Sequence, residues 1–344
     1  MTTPTSTDAD LTTIVGGKPP FLSALMPTPS EAVDAEDQFA TRWKNLTSEL
    51  GDGWTEEALA KIEQRLDALR NSASTLAVVA SADGHAIVEE LIDPVEALEV
   101  REDPLPRLVP LIDSRRRTIS HIVVAADRTG ADLTAFDGGT VLDEASVDGE
   151  ELHIHRGHPG GWSQRRFQQR AENTWDANAE DVAEAISEMA TKVGARLVAV
   201  AGAERASSLI VKALDDHPLD ARVERLESGD TDGIADEVVK HVADVHATDL
   251  VELSDRFQQQ LSSDTAVATT EATLRALNEG RVETLLVNDD WTDDETPEVE
   301  VRDLPAGARA IDLAVAAAIT TDAEVVPVPR YAALEGPIAA ILRW

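Results

Sequence analysis

The 344-residue sequence predicts a mixed α/β protein of several domains. Three observations carry that reading. Short apolar runs such as Leu76–Ala80, His121–Ala126, Arg196–Ala201 and Val325–Val328 have strand length and end at turn residues. Between them lie stretches whose apolar residues recur at helical spacing. The length also exceeds what one hydrophobic core usually serves. Hydrophobic residues make up 42% of the chain but aromatics only 3%, so its cores must be built from Ala, Val, Leu and Ile.

Residues 1–30 are rich in Thr, Ser, Pro and Gly and read as a flexible or extended arm. An N-terminal α+β domain is expected over 31–117. It opens with a helix bearing Phe39, Trp43, Leu46 and Leu50, stopped by Gly51-Asp-Gly53. A second helix starts at Thr55 as N-cap, with Glu56 and Glu57 in the favourable first turn and Leu59, Ile62, Leu66 and Leu69 apolar. Leu76–Ala80 and Ala86–Val88 form a hairpin around Asp83-Gly84. Leu105–Ile112 is a short helix or bend leading to Arg115-Arg-Arg117.

A central domain is expected over 118–246. His121–Ala126 is a buried strand, Asp127–Gly130 turns it, and Ala131–Phe136 runs back. A helix follows over 172–193, with Val182, Ile186, Met189 and Val193 on one face. Arg196–Ala201 is the next strand and Glu204–Leu214 the next helix. A smaller C-terminal α/β domain, 247–344, holds a helix at 267–279, a strand at Glu283–Val287 and an acidic loop, Asn288–Glu300. It continues with a small-residue helix at Leu313–Ile319, a strand at Val325–Val328 and a last apolar segment, Ile341–Trp344.

The formal charge is −35, from 65 acidic and 30 basic residues, of which six are Lys. Such acidity disfavours non-specific nucleic-acid binding and argues against DNA as a partner. It suits a salt-rich cytoplasm, where screening also weakens repulsion from RNA. There is no Cys, so disulfide and thiolate chemistry are excluded. Apolar runs such as Leu313–Ile319 fall far short of the ~20 residues that span a bilayer. Met1–Asp10 lacks the basic-then-apolar pattern of a signal peptide. A cytoplasmic protein with no membrane partner is expected.

One stretch departs from this background. Leu152–Ala171 has no acidic residue, where the overall composition would place about four. It carries Arg156, Arg165, Arg166 and Arg170 with His153, His155 and His158, and Trp162 beside Gly160-Gly161. Glycines permit close backbone approach, arginines pair with phosphates, and an aromatic ring can stack on a base. Arg156, His158, Gly160, Gly161, Trp162, Ser163, Arg165, Arg166 and Arg170 are therefore the candidate RNA-binding residues. The three histidines could hold a metal, but no Cys supports them, and a polar strand face is preferred. Asp127 and Asp132 could form a magnesium-binding nuclease pair, though an Asp capping the Arg128-Thr-Gly130 turn is the plainer reading. Arg115–Arg117 is a basic patch or a solvated linker. Asp289–Glu295 lacks calcium-loop spacing, and neither a phosphate-binding G-x-x-x-x-G-K-[ST] loop nor a G-x-S-x-G elbow is present. No metal or cofactor is expected.

Gly160-Gly-Trp-Ser-Gln-Arg-Arg-Phe-Gln-Gln-Arg170 resembles the catalytic loop of the archaeo-eukaryotic class-1 release-factor superfamily, whose pattern runs Gly-Gly-Gln-Ser-x-x-Arg-Phe. Gly160, Gly161, Ser163, Arg166 and Phe167 match in register. Leu76–Val88, His121–Phe136, Asn278–Leu286 and the terminal Leu342-Arg-Trp344 extend the likeness over most of the chain from about residue 75. It is strongest to the bacterial branch, which includes the hibernation factor Balon and is related to Pelota and the Vms/Ankzf-type peptidyl-tRNA hydrolases. The resemblance implies an RNase H-like central domain and binding in the ribosomal A site, against rRNA and peptidyl-tRNA. It also implies a translational GTPase partner such as elongation factor Tu.

The departure from the pattern is Trp162, which stands where release factors have the Gln that helps place water. An indole offers one N–H donor and no acceptor. Nor does the N-terminal part carry an Asn-Ile-Lys-Ser codon reader. The first functional reading is thus a factor that occupies idle or stalled ribosomes in hibernation or rescue. The second is a peptidyl-tRNA hydrolase with Gln164 as the catalytic residue orienting water. A third is a metal-dependent RNase H-like nuclease using Asp127.

Overall fold

A computed structural model divides the chain into two compact units, Met1–Arg116 with Leu250–Trp344, and Arg117–Asp249. The structure describes all residues except 1–5, 28–34, 68, 70–74, 96, 128–129, 149–160, 218, 289–295, 330–333 and 335, and it describes 6–8, 35–40, 148 and 161–175 by backbone alone.

The first unit begins with α1 (Ser6–Val15) and β1 (Phe21–Pro27). These correct the expected arm. The helix breakers Gly16-Gly17 and Pro19-Pro20 fall between the two elements and interrupt neither. Phe21, Leu22, Ala24 and Met26 are all buried, and apolar burial outweighs a Thr- and Pro-rich composition. Next come α2 (Ala35–Ser48), α3 (Glu56–Asp67), β2 (Thr75–Ser81), β3 (Ala86–Leu91), β4 (Glu99–Asp103) and α4 (Val109–Arg117). The Thr55 hydroxyl caps α3 as expected, accepting from the Ala58 N–H at 3.2 Å. The sheet order is β3-β2-β1-β4, with β1 antiparallel to both neighbours.

All seven residues of β2 are buried because helices cover both faces of this sheet. Leu76, Val78 and Ala80 pack with Trp43, Leu46, Ile62 and Leu66 of α2 and α3. The alternate residues Ala77 and Val79 face a larger core built with Leu11, Ile14 and Val15 of α1 and Leu111 and Ile112 of α4.

The second unit holds β5 (His121–Ala126), β6 (Gly130–Asp137), β7 (Thr140–Asp148), α5 (Gly161–Val193), β8 (Leu197–Gly202), α6 (Glu204–Leu214) and β9 (Arg222–Arg225). Its sheet order is β7-β6-β5-β8-β9. The first three strands form an antiparallel meander, and β8 and β9 add in parallel beyond β5. This is the expected RNase H-like arrangement. Val182, Ile186 and Met189 of α5 and Ile210 and Leu214 of α6 cover Ile122, Val124, Val198 and Val200 on one face. The helix α7 (Thr231–Leu261) covers the other, placing Val238 against Ala199 and Ala201, and Val245 against Leu197.

The Leu250–Trp344 part of the first unit contains the end of α7, then β10 (Ala266–Val267), α8 (Thr270–Asn278), β11 (Val282–Asn288), α9 (Ala310–Thr320), β12 (Glu324–Val328) and β13 (Ile338–Leu342). Its sheet order is β10-β13-β11-β12, and β11 and β12 are parallel across the α9 crossover. Phe257 of α7 packs on one face with Leu286, Val326 and Ile341. On the other face, Leu285, Val287, Ala340 and α9 join the same core as α1, β2 and α4.

The Arg115-Arg-Arg117 run is neither a free basic patch nor a solvated linker. It ends α4, and the Arg115 guanidinium binds Asp10 of α1 at 2.7 Å and Glu89 of β3 at 2.9 Å. Arg116 pairs with Glu324 at 2.7 Å. Burial by itself would lower the Arg115 pKa, but hydrogen bonds and charge from Glu89 and Asp10 outweigh it and hold the group above its ordinary range. Arg115→Ala leaves two partly buried carboxylates facing each other. We expect a loss of about 2 kcal/mol, below the fully buried case because Asp10 and Glu89 touch solvent, measured by urea unfolding.

Gly202 ends β8 with φ +130°, and a Cβ there would lie 2.0 Å from the Ala126 carbonyl oxygen. Gly202→Ala must therefore part β5 from β8 or distort the turn. We expect it to cost at least ~2 kcal/mol in the same assay, whereas Gly194→Ala, with open space around its Cβ position, loses less.

Candidate functional site

The candidate site lies in the second unit, at the carboxyl ends of the parallel strands β5 and β8. Ala126 and Gly202 are register partners there, and the missing Cβ of Gly202 lets the two backbones meet. The chain then leaves β5 through a turn at Asp127 and leaves β8 directly into α6. Asp127 closes its turn twice: its N–H donates to the Gly130 carbonyl at 3.0 Å, and its carboxylate accepts from the Gly130 N–H at 2.9 Å. Asp132 accepts from the Ser146 hydroxyl at 2.7 Å. These carboxylates thus serve the turn and the β6–β7 pairing. Among the described residues, no group of three His, Asp or Glu side chains is set to hold a metal ion. Nothing in this geometry favours the nuclease reading.

A cleft of about 250 Å³ opens beside these strand ends, between α5 and the start of α6. Ala179 and Val182 line one wall, Ala206 and Leu209 the other, with Asp127, Asn178 and Arg205 at its polar edges. The crevice at the carboxyl ends of parallel strands is where open α/β sheets generally bind ligands. Sequence reasoning missed it. Its one available signal was Asn178, a polar residue that is buried although it lies one turn before the apolar Val182.

Of the predicted RNA-binding residues, Arg156, His158 and Gly160 lie outside the described residues, as do His153 and His155. Gly161 is the first residue of α5, and Trp162, Ser163, Gln164, Arg165, Arg166 and Arg170 follow in its opening turns. The helix therefore starts well before the expected residue 172. Gln, Arg and Ala are good helix formers, and no Gly or Pro follows Gly161 to interrupt them.

This placement has an electrostatic consequence. The amino end of a helix presents unpaired N–H groups and the positive end of its dipole. In α5, 33 residues long, the first turn contains no carboxylate to offset them. Arginines close behind such an end do not stabilise the helix, since cations favour the opposite end. They do add to its attraction for an external anion.

Elsewhere among the described residues, arginines are commonly matched to carboxylates, as in Arg196 with Asp249 at 2.6 Å, Arg256 with Glu283 at 2.6 Å and Arg281 with Glu279 at 2.7 Å. A stretch such as Leu152–Ala171 carries no carboxylate of its own to do the same. No helix among the described residues is long and apolar enough to cross a membrane.

Residues 120–263 match the model of the bacterial archaeo-eukaryotic release factor family 2. The chain is similar to the uncharacterized protein Rv2629 of Mycobacterium tuberculosis (strain ATCC 25618 / H37Rv). The two are 23% identical over 292 residues, covering 80% of this chain and 76% of that protein. Among solved structures it is similar to ribosome-bound archaeal Pelota, at 15% identity and a TM-score of 0.44, over 98% of this chain and 93% of that one. It is also similar to the archaeal termination factor aRF1, at 18% identity and a TM-score of 0.26, over 98% and 97%. The family match takes in the central sheet, the Gly-Gly stretch and the helices that follow it, so the likeness to the bacterial archaeo-eukaryotic release factors is carried by the central part of the chain.

Proposed function

We propose that this protein is a ribosome-binding factor that occupies the A site of idle or stalled ribosomes, with residues 160–170 directed toward the peptidyl transferase centre. The observation that carries this reading is the acid-free, arginine-rich stretch at the amino end of α5, inside the family-matched region of a protein of charge −35. Phosphate-rich RNA is the partner such an end selects. The Gly-Gly-x-Ser-x-x-Arg-Phe frame is kept, while Trp162 replaces the water-placing Gln. That exchange favours binding without ester hydrolysis, in hibernation or rescue. A translational GTPase such as elongation factor Tu is its partner, and the protein acts in the cytoplasm.

A second reading rests on Gln164, an amide two positions beyond the lost one. In it the protein is a peptidyl-tRNA hydrolase that works by positioning water with backbone donors and one side chain, without a strong base.

Two measurements test these readings. In ribosome pelleting at native salt, the wild type should sediment with ribosomes from starved cells. The triple variant Arg165→Ala, Arg166→Ala, Arg170→Ala should bind at least ~10-fold more weakly, with its log–log salt slope reduced by roughly two. A wild type that stays in the supernatant, or a triple variant that pellets equally, defeats the ribosome proposal. In a nascent-peptide release assay on stalled ribosomes, the first reading expects no release by the wild type. Release that Gln164→Ala abolishes would establish the second reading instead.

A further inference from the structure

The first unit contains a cavity of about 310 Å³ with a mixed apolar and polar lining, and it is independent of the ribosome reading. Its floor is apolar, from Leu25 of β1 and Ala77 and Val79 of β2, and Val109 at the start of α4 stands at its side. Its polar lining is unusual for so acidic a chain. Three arginines, Arg101, Arg107 and Arg309, meet two carboxylates, Glu99 and Asp312, and the buried amide of Asn288.

The charges are not evenly committed. Arg107 donates from Nε to Asp103 at 2.7 Å, and Arg309 lies 3.7 Å from Asp312, whose side chain is 4% exposed. Arg101 and Glu99 sit two residues apart on β4, so both lie on one face of the strand. Arg101 and Glu99 form no ion pair with each other among the described residues, although both line the same cavity. Arg309 is also the N-cap of α9 and supplies no side-chain acceptor to its first turn. Asn288 lines the cavity from the carboxyl end of β11, parallel to β12, a position where α/β sheets favour ligands.

We propose that this cavity binds a small organic anion, with its apolar body on the β1–β2 floor and its carboxylate or phosphate head between Arg101 and Arg309. The volume is at the lower end of small-molecule sites, which combine an apolar lining with a few convergent polar groups. Planar guanidinium donors suit both kinds of head.

The fluorescent amphiphilic anion 8-anilinonaphthalene-1-sulfonate serves as the probe, titrated into the full-length protein. Saturable binding is expected. Arg101→Ala, at an exposed position, should weaken it at least 5-fold, and Val109→Trp, which fills the cavity, should abolish it, both with unchanged circular dichroism. Retention within twofold of wild type in either variant overturns the site. Competition then separates the sources: displacement by octanoate assigns a carboxylate ligand, displacement by adenosine monophosphate assigns a phosphate ligand, and displacement by neither overturns the proposal.

Discussion

The first unit depends on burial of apolar surface that the two ends of the chain supply together. Leu11, Ile14 and Val15 of α1, the Ala77 and Val79 face of β2, Leu111 and Ile112 of α4, and the Ala-rich α9 share one core. The inner face of the N-terminal sheet needs α9, and α9, whose residues Ala310–Ala318 are all buried, needs neighbours on every side. A helix apolar all round is stable only in a core. Residues 1–116 therefore complete their folding with 250–344, and the Arg117–Asp249 unit is inserted between them in the chain. The Arg115 contacts with Asp10 and Glu89 tie α1, β3 and α4 at the edge of that core.

Within the inserted unit, a single close approach organises the site. Because Gly202 has no Cβ, β8 reaches Ala126 of β5, so the Asp127 turn and the start of α6 emerge side by side. The crevice beside them follows from the parallel pairing, since both chains leave the sheet at the same edge. The family-matched region spans this edge and the amino end of α5. The first turn of α5 holds no carboxylate, and four arginines lie in or just before its opening turns in a chain otherwise dominated by carboxylates.

Much of this was legible locally. The Thr55 cap, the β2–β3 hairpin about Gly84 with φ +90°, the β5–β6 turn and the bounds Glu204–Leu214 of α6 all follow from residues a few positions apart. What was missed depended on distant partners. β4 reads Glu-Val-Arg-Glu-Asp and is a strand only because β1 pairs with it. β7 is an edge strand with Val141 and Leu142 half-exposed, so it shows no clear apolar alternation. α7 crosses the expected domain boundary near 247, burying Val238 and Val245 in one unit and Phe257 in the other, so no single apolar stripe marked it.

The sequence by itself determined the α/β class and most of the central strands and helices, and it carried the likeness to release factors, because hydrophobic periodicity, turn residues and a Gly-Gly motif are written along the chain. Tertiary structure alone decided that residues 1–30 supply a helix and a central strand, and that Arg115 is an internal ion-pair partner rather than part of a solvated linker. It also decided that one cavity gathers Arg101, Arg107 and Arg309 from separate elements. The reason is common to all three. Burial and charge pairing depend on which residues meet in space, and these partners lie up to some three hundred positions apart.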